Sequence, residues 1–203
     1  SAPGGRRLRD RRSAGNNHPA GNRHPAGDHR PAGAVKDLCL RLEEQAPVGR
    51  LYDLDVLSPG GEKLSRPQSR RCLICGGPVT VCSRSRAHGL AVIQAKTEDI
   101  LRSFAAGHLA QLARQALEDE VCLTPKPGLV DRRNTGAHDD MDLPLFRRSA
   151  AALEPYFCRF VSLGMTGASP AELQALGREA EHAMLTATGG VNTHKGALFS
   201  FSV

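Results

Sequence analysis

The feature that most constrains the fold is the helical spacing of apolar residues in the second half of the chain. After Thr97, which has the side chain of an N-cap residue, apolar positions recur every three or four residues to about Glu120: Leu101, Ala105, Leu109, Leu112 and Ala116. This period predicts an amphipathic α-helix. A second helix is predicted at about residues 146–163, broken or kinked at Pro155.

Two more segments extend the helical region. Ser169, Pro170 and Glu172 form a capping-box sequence, which predicts a third helix that ends near Gly189. Its apolar face is expected to contain Leu173, Leu176, Ala180 and Ala183. A last helix is predicted from about Lys195. Together these segments predict a mainly α fold, with an all-α domain over residues 96–203.

Residues 1–33 have a different composition. The six-residue units AGNNHP, AGNRHP and AGDHRP follow one another and contain no large apolar residue to bury. A disordered low-complexity tail is therefore predicted. The tail carries seven Arg and two Asp, or +5 of the chain's net charge of +6, so the remaining residues are nearly neutral. This balance is not that of a domain that tracks nucleic acid, and no nucleic-acid partner is expected.

Residues 34–95 predict a small α/β segment rich in cysteine. Val35, Leu38 and Leu42 have helical spacing, whereas residues 50–57 alternate apolar and polar side chains, as in a strand. No apolar stretch approaches the ~18 residues of a membrane span, so no membrane partner is expected. The six cysteines of the chain suit reduced thiols or a metal site, which predicts a cytoplasmic location.

Four of the metal-binding side chains follow the spacing C-x2-C-x6-C-x5-H. Three thiolates and an imidazole could close a tetrahedral structural Zn²⁺ site. The alternative is a set of reduced structural cysteines with an unrelated histidine. The four candidate ligands are Cys72, Cys75, Cys82 and His88.

The densest group of charged residues is the stretch TPKPGLVDRRNTGAHDDMD, residues 124–142. Lysine and arginine hold phosphate oxygens and aspartate holds Mg²⁺, so this loop suits ATP with Mg²⁺. Candidate phosphate-binding residues are Lys126, Arg132 and Asn134, and candidate Mg²⁺ ligands are Asp140 and Asp142. The alternative is a solvated loop with incidental charges.

Two smaller patterns also point to phosphate chemistry. In TGGVNTHKG, backbone amides at the glycines could approach an anion, although a Gly-Gly pair is more often a helix C-cap. The candidate residues there are Gly189, Gly190, Asn192 and Lys195. Earlier in the chain, Asp53 and Asp55 lie two positions apart on the predicted strand, so both point to one face, where they could hold Mg²⁺.

The loop TPKPGLVDRRNTGAHDDMD, the tripeptide PYF at residues 155–157 and the stretch ATGGVNTHKGALFS resemble the N-terminal part of the triphosphoribosyl-dephospho-CoA synthase family. The resemblance implies that ATP and dephospho-CoA give triphosphoribosyl-dephospho-CoA and adenine. It assigns carboxylate chemistry to Asp131 or Asp140, and protonation of adenine to His138 or His194. Lys126, Arg132 and Lys195 are then expected to bind the triphosphate.

The stretches GRLYDLDVLSPGGEKLSR and RRCLICGGPVTVCSRSRAH resemble the C-terminal part of the apo-citrate lyase phosphoribosyl-dephospho-CoA transferases. That family transfers the prosthetic group to a serine of the apo acyl carrier protein and releases pyrophosphate. The resemblance implies that Asp53 and Asp55 hold Mg²⁺ and that Arg66, Arg84 and Arg86 bind phosphate.

The order of the two resemblances is that of the bifunctional fusions of these enzymes. Later synthase motifs and earlier transferase motifs are not found, so the chain is expected to be incomplete and weak or inactive by itself. Two alternatives remain: a nonfunctional piece of a fused enzyme, and an RNA-binding module with a zinc knuckle. The second predicts aromatic residues near the knuckle, and none lies between Tyr52 and Phe104.

Overall fold

The structure is a computed structural model that describes residues 31–201, with no account of the Phe201 side chain. Its elements are α1 (Ala32–Glu44), a 3₁₀ helix (Pro47–Leu51), α2 (Val79–Ser85), α3 (Leu90–Cys122), α4 (Leu143–Met165), α5 (Pro170–Thr188) and α6 (Lys195–Phe201). The prediction of a mainly α fold is confirmed. The predicted disordered tail lies outside the described residues except at its end, where Ala32 and Gly33 already belong to α1.

The core of the molecule is a bundle in which α4 lies between α3 and α5, and α6 packs on α5. Leu153, Phe157 and Phe160 of α4 are buried between the neighbouring helices. Removing side chains of this size from water stabilises a fold by about 1.5–3 kcal/mol each. The rest of this cluster comes from α3, α5 and α6: Ala110, Leu117, Leu176, Ala180, Met184 and Leu198, with Ala150 of α4.

The ends of α4 and α5 are fixed by the caps that their sequences encode. The backbone N–H of Leu145 donates to Oδ1 of Asp142 at 2.8 Å, which makes Asp142 the N-cap of α4. Ser169 and Glu172 form the predicted capping box, and Gly189 ends α5 in the left-handed conformation. The predicted starts of α5 and α6 are therefore confirmed.

Helix α3 differs from its prediction in two ways. It begins at Leu90, so Thr97 is an interior residue whose hydroxyl donates to the carbonyl of Ile93, and the prediction of an N-cap there is wrong. The predicted apolar face is also wrong, because Leu101, Leu109 and Leu112 are about half exposed. The packed face contains Ile100, Ala106, Ala110, Leu117 and Val121 instead.

The physical reason is that α3 carries apolar residues on more than one side. The small side chains of Ala106 and Ala110 let α4 approach closely. Which face of α3 is buried therefore depends on the helix that packs against it. The larger Leu109 and Leu112 are left beside an open groove of about 430 Å³. In α4 the prediction of a break at Pro155 is wrong, because the helix continues through it.

The segment before α3 forms no strand within the described residues, and the predicted strand at residues 50–57 is wrong. The 3₁₀ helix takes up its first part, and the rest is extended chain with an isolated bridge between Leu57 and Lys63. No partner strand lies beside residues 52–56, so the alternating pattern has no sheet to join.

Helix α1 is confirmed, but its buried face is charged. Lys36 and Glu43, seven residues apart and therefore on one side of the helix, are buried, whereas Leu42 is 46% exposed. Helix α1 packs on the 3₁₀ helix, which in turn contacts α3. Across the described range, we find no helix with the length and apolar character that crossing a membrane requires.

Candidate functional site

The loop of residues 123–142 and the turn of residues 189–194 lie at the same end of the bundle. The loop joins the end of α3 to the start of α4, and the turn joins the end of α5 to the start of α6. Because α4 runs antiparallel to both neighbours, these four helix ends meet. Contacts of His194 with the first turns of α4 establish this: its ring lies edge-on to Phe146 at 5.1 Å between centroids.

Asp131 organises the loop. Its Oδ1 accepts hydrogen bonds from the backbone N–H groups of Arg133 (2.7 Å) and Asn134 (3.1 Å), and its Oδ2 accepts one from Lys126 (3.2 Å). The residue is only 5% exposed. These N–H groups, that of Arg133 above all, hold the pKa of Asp131 below its usual range. Asp131 is therefore an ionised anchor of the loop backbone.

Gly136 closes the loop on itself. Its N–H donates to Oδ1 of Asn134 at 2.8 Å, and the next residue, Ala137, donates its N–H to the carbonyl of Gly128. Gly136 has a φ of 62°, and a Cβ there would lie 2.5 Å from the carbonyl carbon of Gly128. Only glycine fits this contact without a shift of the backbone.

The acidic end of the loop is open to solvent. Asp139 and Asp140 are exposed and His138 is half-buried, while Asp142 is used as the N-cap of α4. Arg132 is also exposed. Asp140 is thus the predicted Mg²⁺ ligand with a free carboxylate, whereas one oxygen of Asp142 is already bound to the helix.

His194 fixes the turn to α4. Its Nδ1 lies 2.7 Å from Oγ of Ser149, and the hydroxyl of Thr193 donates to the same Ser149 at 2.6 Å. The tautomer of the ring decides whether Ser149 or Nδ1 donates in this hydrogen bond, and Nε2 is buried with no hydrogen-bond partner among the described residues. Burial lowers the pKa of His194 to about 4, against a smaller opposing effect of Glu120. The neutral ring is an anchor between α4 and α6.

The two glycines of the turn act as a helix C-cap. The N–H groups of Gly189 and Gly190 both donate to the carbonyl of Leu185, so in this conformation neither is aimed at an anion. The side chain of Asn192 accepts from the N–H of Lys195 at 3.2 Å, which fixes the start of α6. The C-cap alternative of the sequence analysis therefore describes this turn.

The two lysines of the site are held by glutamates that the sequence analysis did not select. Lys126 lies 2.8 Å from Glu120 of α3, and Lys195 lies 2.6 Å from Glu181 of α5. The Lys195 side chain is 60% exposed, whereas that of Lys126 is only 14% exposed. The exposed ion pair of Lys195 is weak, so this lysine can exchange its glutamate for a more highly charged anion.

A second polar site lies before α2, around the buried carboxylate of Glu43. Arg66 and Arg70 both pair with it, the latter at 2.8 Å, and the N–H of Leu54 donates to its Oε1 at 2.7 Å. Burial lowers the pKa of Arg66. The Lys36 ammonium donates to the carbonyl of Leu54 at 3.2 Å. Helix α1 thereby holds the extended chain of residues 52–56 in place.

Asp53 and Asp55 lie beside this cluster and line one groove of about 290 Å³. Asp53 is 3.4 Å from Arg70, and Asp55 is 2.7 Å from Lys63, whose hydrogen bond lowers the pKa of Asp55. Both carboxylates are exposed, although the strand predicted to point them to one face is not formed. Arg66, one of the three arginines predicted to bind phosphate, lines this groove. Arg84 and Arg86 are exposed at the end of α2 and do not line it.

The four predicted zinc ligands come together. The sulfur atoms of Cys72, Cys75 and Cys82 and one ring nitrogen of His88 all lie within 4.8 Å of one another. Backbone N–H groups of Cys75 and Ile74 lower the pKa of Cys72 to about 6, while hydrogen bonding to Cys75 and burial raise that of Cys82 to about 11. Within residues 31–201, this is the one cluster of His, Cys, Asp and Glu whose donor atoms are close enough to hold a metal ion.

Sequence reasoning missed the residues that act through others: Ser149, Thr193, Glu120, Glu181, Glu43 and Arg70. One signal was present, the spacing of Lys36 and Glu43 on one side of α1. The others have no local pattern, because their partners lie 6 to 45 positions away along the chain.

Two family models match consecutive parts of the chain, and both describe transferases. Residues 106–203 match the family ATP:dephospho-CoA triphosphoribosyl transferase. Residues 12–104 match the family apo-citrate lyase phosphoribosyl-dephospho-CoA transferase. The match that begins at residue 12 includes the whole six-residue repeat, which starts at Ala14, and the two matches meet within α3.

Two of the similar proteins are called CitXG, and a third is called a synthase. Protein CitXG of Haemophilus influenzae is 42% identical over 180 residues, 83% of this chain and 39% of the relative. Protein CitXG of Leuconostoc mesenteroides is 36% identical over 190 residues, 83% of this chain and 41% of the relative. The 2-(5''-triphosphoribosyl)-3'-dephosphocoenzyme-A synthase of Escherichia fergusonii is 54% identical over 101 residues, 47% of this chain and 33% of the relative.

The chain thus spans about two fifths of the length of the two CitXG relatives that it matches. No solved structure matched it.

Proposed function

We propose that this chain takes part in making and attaching the prosthetic group of citrate lyase. The observation that carries the proposal is that the loop of residues 123–142 and the turn of residues 189–194 lie at the same end of the bundle, where the turn packs on the start of α4. Those are the segments with the motifs of the matched triphosphoribosyl transferase family. The substrates would be ATP and dephospho-CoA, and the acceptor of the second reaction the apo acyl carrier protein of citrate lyase.

In the first reaction the ribose 2′-hydroxyl of dephospho-CoA attacks C1′ of the ATP ribose, and the bond from C1′ to adenine breaks. The hydroxyl proton goes to a carboxylate, and adenine gains a proton as it leaves. Asp140 suits the carboxylate role better than Asp131, because it is exposed and Asp131 is occupied by backbone N–H groups. For the same reason His138 suits protonation of adenine better than the buried His194.

The triphosphate would be bound by the cations at this end of the bundle. Lys126 and Lys195 would leave their glutamates for phosphate oxygens, joined by the exposed Arg132. Asn134, Asn192 and the glycine pair would shape the site rather than contact the anion. Mg²⁺ fits the loop, since Asp140 offers a free carboxylate and ATP supplies further oxygen ligands. The ion would offset part of the triphosphate charge.

In the second reaction a serine of the acyl carrier protein attacks the α-phosphate, and pyrophosphate leaves. We assign this chemistry to the groove beside Glu43, where Asp53 and Asp55 could hold Mg²⁺ and where Arg66 lies within reach of phosphate. Arg70, which pairs with Asp53, adds a cation that the sequence analysis did not assign. Arg84 and Arg86 would contact a larger ligand from α2.

We keep three further predictions as part of this proposal. The functional division of the chain lies near residue 96, although α3 passes through that point. The protein acts in the cytoplasm, where its six free cysteines stay reduced. The partners include no nucleic acid.

Binding of ATP to the chain, measured by calorimetry with and without Mg²⁺, tests the first site. Replacing Lys195 with alanine removes a charge-assisted phosphate contact, which should cost about 1.5–3 kcal/mol, or roughly tenfold or more in affinity. Asp140→Asn should weaken binding in Mg²⁺ and much less in its absence. Both changes should also lower the release of adenine when dephospho-CoA is added.

Lys96→Ala is the matched control. Lys96 is also an exposed lysine in an ion pair, 2.8 Å from Asp99. It lies about 39 Å along α3 from Cys122, at the rise of an α-helix. Equal loss of affinity in Lys96→Ala and Lys195→Ala, or unchanged binding in both site variants, would contradict the proposed site.

A further inference from the structure

The Cys/His cluster before α3 takes no part in either proposed reaction, and its geometry suits a separate role. Cys72 and Cys75 lie in a tight turn in which the N–H of Gly76 donates to the carbonyl of Cys72. Cys82 lies on α2, and His88 follows the left-handed residue Arg86 that ends this helix. The turn, the helix and the link to α3 thus each supply part of one cluster.

The donor atoms are arranged as ligands of a tetrahedral ion. Sγ of Cys75 lies 3.5 Å from Sγ of Cys82, close to the ~3.8 Å between two sulfurs that bind one Zn²⁺ at 2.3 Å. The N–H of Ile74 donates to Sγ of Cys72 at 3.4 Å, an interaction that favours a thiolate there. Nε2 of His88 is buried and has no hydrogen-bond partner among the described residues, so its lone pair or proton is uncompensated.

The segment around the cluster has very little core to hold it. Between residues 45 and 99 the apolar side chains that are less than a tenth exposed are Val56 and Cys72. A segment of this size with so little buried apolar surface is normally held by disulfides or a metal ion. The cysteines here are free, which leaves the metal.

We propose that Cys72, Cys75, Cys82 and His88 bind one Zn²⁺ ion in a closed, structural site. Three thiolates and one imidazole fill the four positions of zinc, so no position is open for catalysis. The site would fasten α2 to the turn of residues 72–77. That turn is continuous with Arg70 and Arg71, whose carbonyls accept hydrogen bonds from Val79 and Arg50. Zinc would therefore also hold Arg70 in place beside Glu43 and Asp53.

Metal analysis of the untagged chain, purified under reducing conditions and passed over a chelating resin, tests the site directly. About one zinc ion per chain is expected. Replacement by Co²⁺ should give the visible absorption of a tetrahedral ion with thiolate-to-cobalt charge transfer. Histidines of the N-terminal repeat cannot give this charge-transfer band, so it separates the proposed site from metal held by the repeat.

Variants identify the ligands. Cys75→Ser and His88→Gln should each lower Co²⁺ affinity at least ~tenfold, whereas the controls Cys39→Ser and Cys158→Ser, both outside the cluster, should retain it. If the ligand variants fail to fold, the Co²⁺ spectrum of the wild type and the reactivity of its thiols still test the proposal. Three of the six thiols should react slowly until a chelator is added. Absence of stoichiometric zinc, six equally reactive thiols, or a cobalt spectrum without charge transfer would overturn the proposal.

Discussion

At the scale of single residues, His194 is a buried imidazole whose protonation the fold opposes. It is 6% exposed and is surrounded by Ser149 and Phe146 of α4 and by Met184 of α5, whose sulfur accepts its backbone N–H. The carboxylate of Glu120 on α3 favours the protonated ring, but this raises the pKa less than burial lowers it. Burial therefore keeps the ring neutral at pH 7.

This burial predicts a pH dependence of the free energy of unfolding. The pKa of His194 is about 4 in the folded chain and about 6.5 in the unfolded chain. Above pH 6.5 both states are neutral, and stability is unaffected. Between pH 6.5 and 4 the unfolded chain takes up a proton that the folded chain does not, so stability should fall as the pH falls. Urea unfolding across this range measures the effect.

The variant His194→Gln separates this residue from other titrating groups. It should be less stable than the wild type at pH 7, because it disturbs the contact with Ser149, but its stability should change less between pH 6.5 and 4. Asp131 and Glu172 have lowered pKa values and begin to lose their stabilising effect below about pH 5, but they do so equally in the wild type and the variant, so the comparison cancels their contribution. A variant with the same slope as the wild type would show that His194 is not the group responsible.

The residues that carry charge could be selected from the sequence, but their roles could not. Asp131, Asp140, His138 and His194 all lie where the motifs indicate, yet two of them are buried and two are accessible. Burial depends on which helix end covers each residue. That is a tertiary property, and no spacing within the loop encodes it.

At the scale of elements, the loop of residues 123–142 is a compact unit rather than a flexible connection. Gly136→Ala should destabilise it, because a Cβ would overlap the backbone of Gly128 and the positive φ is unfavourable for alanine by about 1–2 kcal/mol. We expect a lower urea midpoint and faster amide exchange at Ala137. Gly107→Ala is the control: it lies inside α3 with open space around it, and should be neutral or stabilising. Equal effects of the two changes would contradict this account of the loop.

The ends of α5, which its sequence encodes, were predictable, whereas the start of α3 was not. The capping box and the glycine cap fix α5 to within a residue of its prediction. Helix α3 has no capping side chain at Gly89, so nothing local marks its start. The alternating residues 50–57 resemble a strand by pattern alone, and their conformation is decided by Glu43 and Lys36 on α1.

At the scale of the whole molecule, α3 is the element that joins the two regions. Its 33 residues extend about 50 Å at the rise of an α-helix, and the two family matches meet inside it. Its first part follows the cysteine cluster, and its second part forms the bundle with α4. The continuous helix holds the two proposed sites at a fixed separation along one axis.

The central claim is that the loop of residues 123–142 and the turn of residues 189–194 form one ATP site. Hydrogen exchange of the chain with and without ATP and Mg²⁺ tests it most directly, because it reports both segments at once. The account predicts slower exchange in both segments at the same ATP concentration, and no change in residues 50–70. Protection of only one segment, of residues 50–70 instead, or of neither would contradict it.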